Sequence, residues 1–283
     1  MSGPSRPPDA VARTVVVTGA SSGIGEACAL RLAAAGWRVY GGVRTAAAAD
    51  ALRARGIEPL ELDVTRQEQV AAAAEAVGPR LDGLVANAGI AIAAPLELVP
   101  LEELRRQLEV NVVGQVASVQ AFLPALRRAG GRIVLMGSIG GRSALPFLGP
   151  YAASKHALEA VADSLRVELA PFGVAVSIVE PASIRTGIWA KGAQRAEELA
   201  RSFPPDRAAL YASRIARFRE VALARGPGGD PGEVARAVEH ALTAARPRAR
   251  YVVGRDARLR AWIERLPTPL RDRLLARALT GRG

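Results

Sequence analysis

The chain has 283 residues, of which 49% are hydrophobic and 23% are charged. These proportions indicate a folded globular protein, and the single cysteine, Cys28, excludes a disulfide scaffold and fits a reducing cytoplasm. The net charge is +11, but the basic residues are spread along the whole chain without zinc-ligand or basic-aromatic patterns. We therefore expect no specific nucleic-acid partner. All but two of the 38 basic residues are arginines, so the exceptions, Lys155 and Lys191, stand out.

The N-terminal segment is polar and rich in proline. Residues 1–12 lack the apolar run of a signal peptide, and no stretch of the chain approaches about 18 uninterrupted apolar residues. We expect a flexible tail over 1–12 and a cytoplasmic protein.

From Arg13 onward, short β-branched runs alternate with helical stretches. The first six predicted strands are 14–17, 38–43, 58–62, 83–86, 132–137 and 174–179. The helices predicted between them are 23–35, 46–55, 68–77, 101–128 and 152–170. Apolar strands without alternation, each followed by a helix, indicate a parallel sheet covered on both faces. The predicted fold class is α/β, a doubly wound Rossmann fold with its ligand crevice at the carboxyl ends of the strands.

Residues 184–229 interrupt this rhythm, and they contain four of the aromatic residues: Trp189, Phe203, Tyr211 and Phe218. A helix over 233–245 and a strand over 250–253 then resume the pattern. We interpret the interruption as a lid inserted over the crevice before the last helix and strand. The predicted catalytic domain thus spans 13–255.

Residues 256–283 carry apolar side chains at helical spacing among arginines, with a break expected at 267–269. These side chains are Leu259, Trp262, Ile263, Leu266, Leu270, Leu274 and Ala278. The pattern predicts an amphipathic extension that packs on the lid or on a neighbouring subunit. Peripheral contact with a membrane surface is the alternative.

The first strand ends in TGASSGIG, in which Gly19, Gly23 and Gly25 lead directly into a helix. Without Cβ atoms, the backbone of such a turn lets its N–H groups approach a pyrophosphate at the positive end of the helix. Ser21, Ser22 and Ile24 belong to the same predicted cofactor site. A purely structural glycine turn is the alternative.

The second strand runs into Arg44, with no acidic residue where a ribose-binding carboxylate would lie. Because a cation accommodates a 2′-phosphate, we predict NADP(H) as the preferred cofactor, with NAD(H) as the alternative. The third strand ends at Asp63 and Val64, where the carboxylate can reach an adenine amino group. The fourth ends with Asn87, Ala88 and Gly89 beside the cofactor.

The catalytic signal is YAASK, which places Tyr151 and Lys155 four residues apart on one face of a helix. Hydride transfer to or from carbon requires a proton to move at the oxygen, and an ammonium nearby makes a phenol a better base. Ser138, at a strand end, can donate to the substrate oxygen. Asn111, inside a predicted helix, can hold a water that relays the proton, or can be a cap or a helix-bending contact. His156 and His240 have no partners at metal-ligand spacing, and we expect no metal.

Together these motifs resemble the short-chain dehydrogenase/reductase family, and EPASIRT with the tail PRARYVVGRDARLRAW is similar to its retinol and 17β-hydroxysteroid dehydrogenase-like branch. The resemblance runs in order over 13–186 and weakly onward to 253. It implies an oxidoreductase acting on CH–OH groups with a catalytic tetrad: Asn111, Ser138, Tyr151 and Lys155.

The same resemblance implies that Lys155 also binds the nicotinamide ribose and that Asp63 lies by the adenine. It places Thr186 at the nicotinamide carboxamide, with Pro181 and Ile184 in the same predicted cofactor loop. It further implies seven strands and a homodimer or homotetramer. Two residues depart from the family pattern, since Ala86 replaces an asparagine and Ala182 replaces a glycine. The Cβ of Ala182 disfavours a positive φ, so the loop is expected to differ there.

The residues around the predicted tetrad are apolar. They comprise Leu145, Pro146, Phe147 and Leu148 before the tyrosine, and Ile184, Ile188 and Trp189 after the sixth strand. This lining predicts a lipophilic alcohol or ketone as substrate. Two alternatives remain open, namely a non-catalytic NADP-binding sensor or scaffold, and an epimerase or dehydratase, which the short C-terminal part disfavours.

Overall fold

The computed structural model describes residues 12–224 and 228–280. Its centre is one parallel sheet of seven strands in the order β3-β2-β1-β4-β5-β6-β7. The strands are β1 (Thr14–Val17), β2 (Arg38–Val43), β3 (Glu58–Glu61), β4 (Gly83–Ala86), β5 (Arg132–Met136), β6 (Ala175–Pro181) and β7 (Arg250–Val253). The chain order reverses between β1 and β4, so their carboxyl ends open a crevice. The predicted fold class is confirmed.

Eleven helices are named in the described part of the chain. They are α1 (Gly23–Ala34), α2 (Ala46–Arg53), α3 (Gln67–Val77), α4 (Leu101–Leu108), α5 (Gly114–Ala129), α6 (Gly149–Leu169), α7 (Gly187–Ala200), α8 (Pro205–Ala224), α9 (Pro231–Thr243), α10 (Arg255–Ile263) and α11 (Thr268–Thr280). Within the described residues, none of these helices combines the length and apolar content needed to cross a bilayer.

Side chains of the central strands alternate between two separate cores. Val15 and Val17 pack with α1, α2 and α9 on one face, whereas Val16 packs with α3, α5 and α6 on the other. Both faces of the sheet are therefore buried, which explains why the strand sequences are continuous apolar runs. The sheet thus forms a rigid support for the loops at its carboxyl edge.

One predicted element differs in an informative way. The single helix expected over 101–128 is divided, because Glu109–Val113 forms a π-helical turn between α4 and α5. A π turn adds one residue to the helical ring and shifts the following helix around its axis. The apolar periodicity on either side is helical, so sequence periodicity did not reveal the insertion.

The C-terminal extension consists of α10 and α11. The helix is interrupted between Ile263 and Thr268, as the prolines predicted. Large apolar side chains of this extension are exposed: Leu259, Trp262, Leu270 and Leu274. The packing partner of this face stays a prediction.

Candidate active site

The glycine turn lies between β1 and α1. Gly19 and Gly23 have φ of +66° and +62°, a region that L-residues with side chains avoid. A Cβ on Gly25 would lie 2.2 Å from the Gly19 carbonyl oxygen, so the turn closes only around glycine there. The backbone of the turn is consequently open toward the crevice.

Two side chains pin this turn to the end of β4. The Thr18 hydroxyl accepts hydrogen bonds from the backbone N–H groups of Asn87 and Ala88, each at 2.9 Å. The Asn87 side-chain amide donates back to the Thr18 carbonyl at 2.9 Å. Thr18 was not among the predicted site residues, although its place beside Gly19 was a usable signal.

The ends of β2 and β3 bring Arg44 and Asp63 together. Arg44 Nη1 lies 4.0 Å from Asp63 Oδ2, and two-thirds of the Arg44 side chain is exposed, at 66%. Burial raises the pKa of Asp63, but hydrogen bonds from Thr65 and the charge of Arg44 outweigh it and lower that pKa. The carboxylate is therefore ionised at neutral pH, and most of the guanidinium side chain beside it is exposed.

Ser138, Tyr151 and Lys155 meet where β5 ends, and all three are buried. Ser138 caps a short 3₁₀ turn, Ile139–Gly141, and its hydroxyl accepts from the Gly140 N–H at 3.0 Å. Tyr151 lies in the first turn of α6 and Lys155 one turn later, with Lys155 Nζ 5.8 Å from the centre of the tyrosine ring. The i,i+4 spacing thus places both groups on the same side as Ser138.

Burial dominates the ionisation of this group. It lowers the pKa of Lys155 to about 8, while the Glu159 carboxylate one turn on opposes that shift. Burial raises the pKa of Tyr151, with Ser138 and Arg260 partly offsetting it. Lys155 Nζ also donates to the Met136 carbonyl at 2.7 Å, which orients the ammonium. The phenol is therefore protonated at neutral pH.

Asn111 lies behind this group, in the π turn. Its side chain accepts from the Ile90 N–H at 2.8 Å and donates to the Ile90 carbonyl and to Ser154 Oγ, each at 3.0 Å. Ser154 Oγ in turn donates to the Tyr151 carbonyl at 2.7 Å. The Asn111 side chain thus joins the loop after β4 to the helix that carries Tyr151, and the water relay at Asn111 stays a prediction.

The same loop is held by a residue that the sequence reasoning missed. Gln107 Nε2 donates to the Ile90 carbonyl at 2.8 Å, and its Oε1 accepts from the Ile92 N–H at 2.8 Å. A buried glutamine on a helix belongs to no sequence motif, so this role of Gln107 could be recognised only in the tertiary structure.

The lid begins immediately after β6. Ala182 does not adopt a positive φ, and among the described residues Phe147 is the one non-glycine that does, at +66°. Thr186 immediately precedes α7 and lies against Gly23, where an added Cβ would be 3.0 Å from the Thr186 side chain. The loop therefore lies against the glycine turn with alanine at position 182.

Aromatic contacts join the lid to the catalytic helix. The Trp189 ring meets Tyr151 edge-on at 5.5 Å between centres. Phe147 makes similar contacts with Tyr211 at 6.5 Å and Phe218 at 5.6 Å, both on α8. The start of the insertion predicted as a lid thus contacts the buried phenol through Trp189.

All these parts surround one crevice of about 730 Å³. Every predicted cofactor-binding residue lines it, from Gly19 on the glycine turn to Thr186 at the start of α7, whereas Asn111 stands behind the wall. Lys191 and Arg106 also line it and were not predicted. The size suits a large ligand, and the glycine turn offers backbone space that a Cβ would fill, so the residues present fit a dinucleotide.

A sequence model described as short chain dehydrogenase matches residues 13–197. The chain belongs to the short-chain dehydrogenase/reductase family. It is 40% identical over 256 residues to 17-beta-hydroxysteroid dehydrogenase type 1 from Homo sapiens, covering 85% of this chain and 77% of that protein. Retinol dehydrogenase 16 from Homo sapiens is 39% identical over 259 residues, covering 87% and 81%.

A solved structure is also similar. The short chain dehydrogenase from Burkholderia cenocepacia in complex with NADP is 31% identical, with a TM-score of 0.73 over 93% of this chain and 98% of that one. The short-chain dehydrogenase/reductase described here is therefore an NAD(P)-dependent oxidoreductase acting on CH–OH groups, in the retinol and hydroxysteroid dehydrogenase branch. The predictions of family, branch and enzyme class are confirmed.

Proposed function

We propose that this enzyme is an NADP-dependent oxidoreductase of a lipophilic secondary alcohol or ketone, with Tyr151 as the general acid and base. The observation that carries the proposal is the buried group of Ser138, Tyr151 and Lys155, which opens into the same crevice as the glycine turn. Asn111 completes the tetrad by holding α6 against the loop after β4.

The cofactor follows from the charges around the crevice. Backbone N–H groups at the start of α1 would bind the pyrophosphate, and Arg44 would meet the 2′-phosphate. Lys155 would hold the nicotinamide ribose and Thr186 the carboxamide, with NAD(H) as the weaker alternative. When bound, the nicotinamide supplies or accepts the hydride.

The chain's own residues manage the proton. The Tyr151 phenol, protonated at neutral pH, donates its proton to the oxygen of a ketone, and Ser138 donates a hydrogen bond to the same oxygen. The Lys155 ammonium stabilises the phenolate that results, because opposite charges attract strongly in a buried site. In alcohol oxidation the same groups act in reverse.

The substrate class follows from the walls near Tyr151. Ile184, Ile188 and Trp189 line the crevice, and Trp189 lies against the phenol itself. Such walls favour an apolar body beside the reacting oxygen. Two relatives are named for hydroxysteroid and retinol oxidation, which supports a bulky lipophilic substrate. We also propose a homodimer or homotetramer that works in the cytoplasm.

Tyr151→Phe tests the proposal. Loss of the hydroxyl should abolish turnover of ketones and alcohols while the Kd for NADPH stays within about 3-fold, because the phenol acts mainly on the reacting oxygen. Initial rates are measured with NADPH and NADH on substrates sorted by size and polarity. Tyr251→Phe, which also removes one hydroxyl, is the matched control.

Two outcomes would overturn the proposal. Undiminished turnover in Tyr151→Phe would refute the mechanism. A wild-type enzyme that binds NADPH but converts no substrate across the panel would favour a non-catalytic sensor.

A further inference from the structure

A cluster of charged side chains joins the 3₁₀ turn after β5 to three neighbouring elements. Arg142 follows the turn, Glu180 is near the end of β6, Arg250 begins β7, and Glu159 and Asp163 lie on α6. Glu180 is completely buried. The mechanism proposed above uses none of these five residues.

The contacts within the cluster are close. Two nitrogens of Arg142 contact the Glu180 carboxylate. Nη2 donates a hydrogen bond to Oε1 at 2.8 Å, and Nε lies 2.8 Å from Oε2 in an ion pair without hydrogen-bond geometry. Arg250 Nε lies 3.5 Å from Glu180 and donates to Glu159 at 3.1 Å. On the solvent side, Arg250 also donates to both oxygens of Asp163 at 2.7 Å. The Glu180 carboxylate is therefore ion-paired with the guanidinium of Arg142 and, at a longer distance, with that of Arg250.

The cluster adjoins the catalytic group on two sides. Arg142 lies four residues after Ser138, and Glu180 directly precedes Pro181 at the start of the cofactor loop. The intervening turn presses on α6, since a Cβ on Gly141 would lie 2.8 Å from the Lys155 carbonyl oxygen and 3.2 Å from Glu159 Cγ. A movement of Arg142 would thus displace the turn that carries Ser138 and change its packing against Lys155.

Burying an ionised carboxylate at position 180 costs free energy, because the charge loses its contact with water. Burial raises the pKa of Glu180 to about 7, and the Glu159 charge adds to that effect, while Arg142 and Arg250 oppose it. Buried ion pairs are frequently no more stabilising than apolar residues of the same volume, so stability alone does not account for the pair.

We propose that Glu180, gripped by Arg142, is a positioning residue for the reaction, because it locks the turn that carries Ser138 to the end of β6. The proposal rests on the proposed function, in which Ser138 donates to the substrate oxygen. The Arg142 guanidinium, four residues after Ser138, binds the carboxylate of Glu180, which is part of β6. The ionised carboxylate is the form that holds this guanidinium.

Glu180→Gln tests the proposal, because it keeps the shape and removes the charge. We expect kcat to fall about 10-fold, with the KM for NADPH and the Kd for NADPH within about 2-fold, since misplacement of Ser138 affects the chemical step rather than cofactor binding. Wild-type kcat should also fall as the pH is lowered through about 7, where Glu180 takes up its proton, and this fall should be absent in the variant.

Asp163→Asn is the matched control, since it removes a carboxylate from the solvent side of the same cluster and should leave kcat and the pH profile unchanged. Arg142→Lys keeps the charge but loses the guanidinium, so kcat should fall less than in Glu180→Gln and the pH dependence should remain. This second variant also carries the test if Glu180→Gln does not fold.

Unchanged kcat in a folded Glu180→Gln, or in Arg142→Lys when Glu180→Gln is unfolded, would overturn the proposal. An equal loss in Asp163→Asn would overturn it as well, because the effect would then belong to general stability. Tyr151→Phe is assayed in parallel. Full activity there refutes the proposed catalytic assignment, whereas an inactive Tyr151→Phe with an unaffected Glu180→Gln refutes only the positioning role.

Discussion

Replacing Gly25 by alanine adds one methyl group at the tightest point of the glycine turn. The added Cβ would lie 2.2 Å from the Gly19 carbonyl oxygen and 2.5 Å from Asn87 Nδ2. The first of these atoms is backbone, and the second is held by its bond to the Thr18 carbonyl at 2.9 Å. Neither neighbour can move without disturbing the end of β4, so the turn itself must shift.

The size of the effect follows from two opposing contributions. Alanine is favoured over glycine by up to about 1 kcal/mol inside a helix, and Gly25 lies in the first turn of α1. Overpacking a tight site costs about 1–3 kcal/mol, and a backbone clash at this distance belongs at the upper end. A net loss of about 2 kcal/mol in the free energy of unfolding is expected, or roughly 4–8 °C in Tm.

Thermal unfolding of the apo protein measures the stability loss, and equilibrium titration measures cofactor binding. The Kd values for NADPH and NADH should rise by similar factors, because the displaced N–H groups would bind the pyrophosphate that both share. Gly232→Ala in the first turn of α9 is the control, since its Cβ would meet only the flexible Asp230 carboxylate within 3 Å. A Gly25→Ala protein with native Tm and native Kd values would refute the reasoning.

Two further predictions concern charge. Arg44→Ala should raise the Kd for NADPH at least about 10-fold more than that for NADH, because a 2′-phosphate would lose its cation. Arg53→Ala, which removes an exposed arginine from α2, is the control. An equal loss of affinity for the two cofactors in Arg44→Ala would contradict the role of Arg44. Lys155 has a folded pKa of about 8, below that of the unfolded chain, so the unfolded state binds more protons between about pH 8 and 10 and stability should rise with pH there. In urea denaturation, the free energy of unfolding of the wild type should rise by roughly 1–3 kcal/mol relative to that of Lys155→Met between pH 7 and pH 10. A difference in unfolding free energy that does not depend on pH would contradict the burial of the ammonium.

Local patterns were sufficient for much of the architecture. The strands lie within a few residues of their predicted bounds because β-branched apolar runs between turns encode a strand buried on both faces. The glycine turn and the Tyr151–Lys155 pair were equally visible, since each depends on residues a few positions apart. The fold class followed from these short-range signals, and the family and enzyme class followed from the family resemblance that the motifs carry.

Asn111 marks the limit of such signals. Its scarcity drew attention to it, but the π turn around it and its bonds to Ile90 and Ser154 join residues far apart in the chain. The partner of a buried amide depends on which loop packs against it, and no periodicity records that. Thr18 and Gln107 escaped prediction for the same reason.

The order of motifs along the chain was therefore enough to predict a parallel sheet, a phosphate-binding turn and a proton-transferring tyrosine, because hydrophobic period and turn chemistry act over a few residues. The tertiary structure alone decided how Arg142 meets Glu180 across 38 positions and how Trp189 meets the phenol. Those contacts depend on the packing of whole elements, since the free energy of a buried charge or ring is set by whichever atoms surround it.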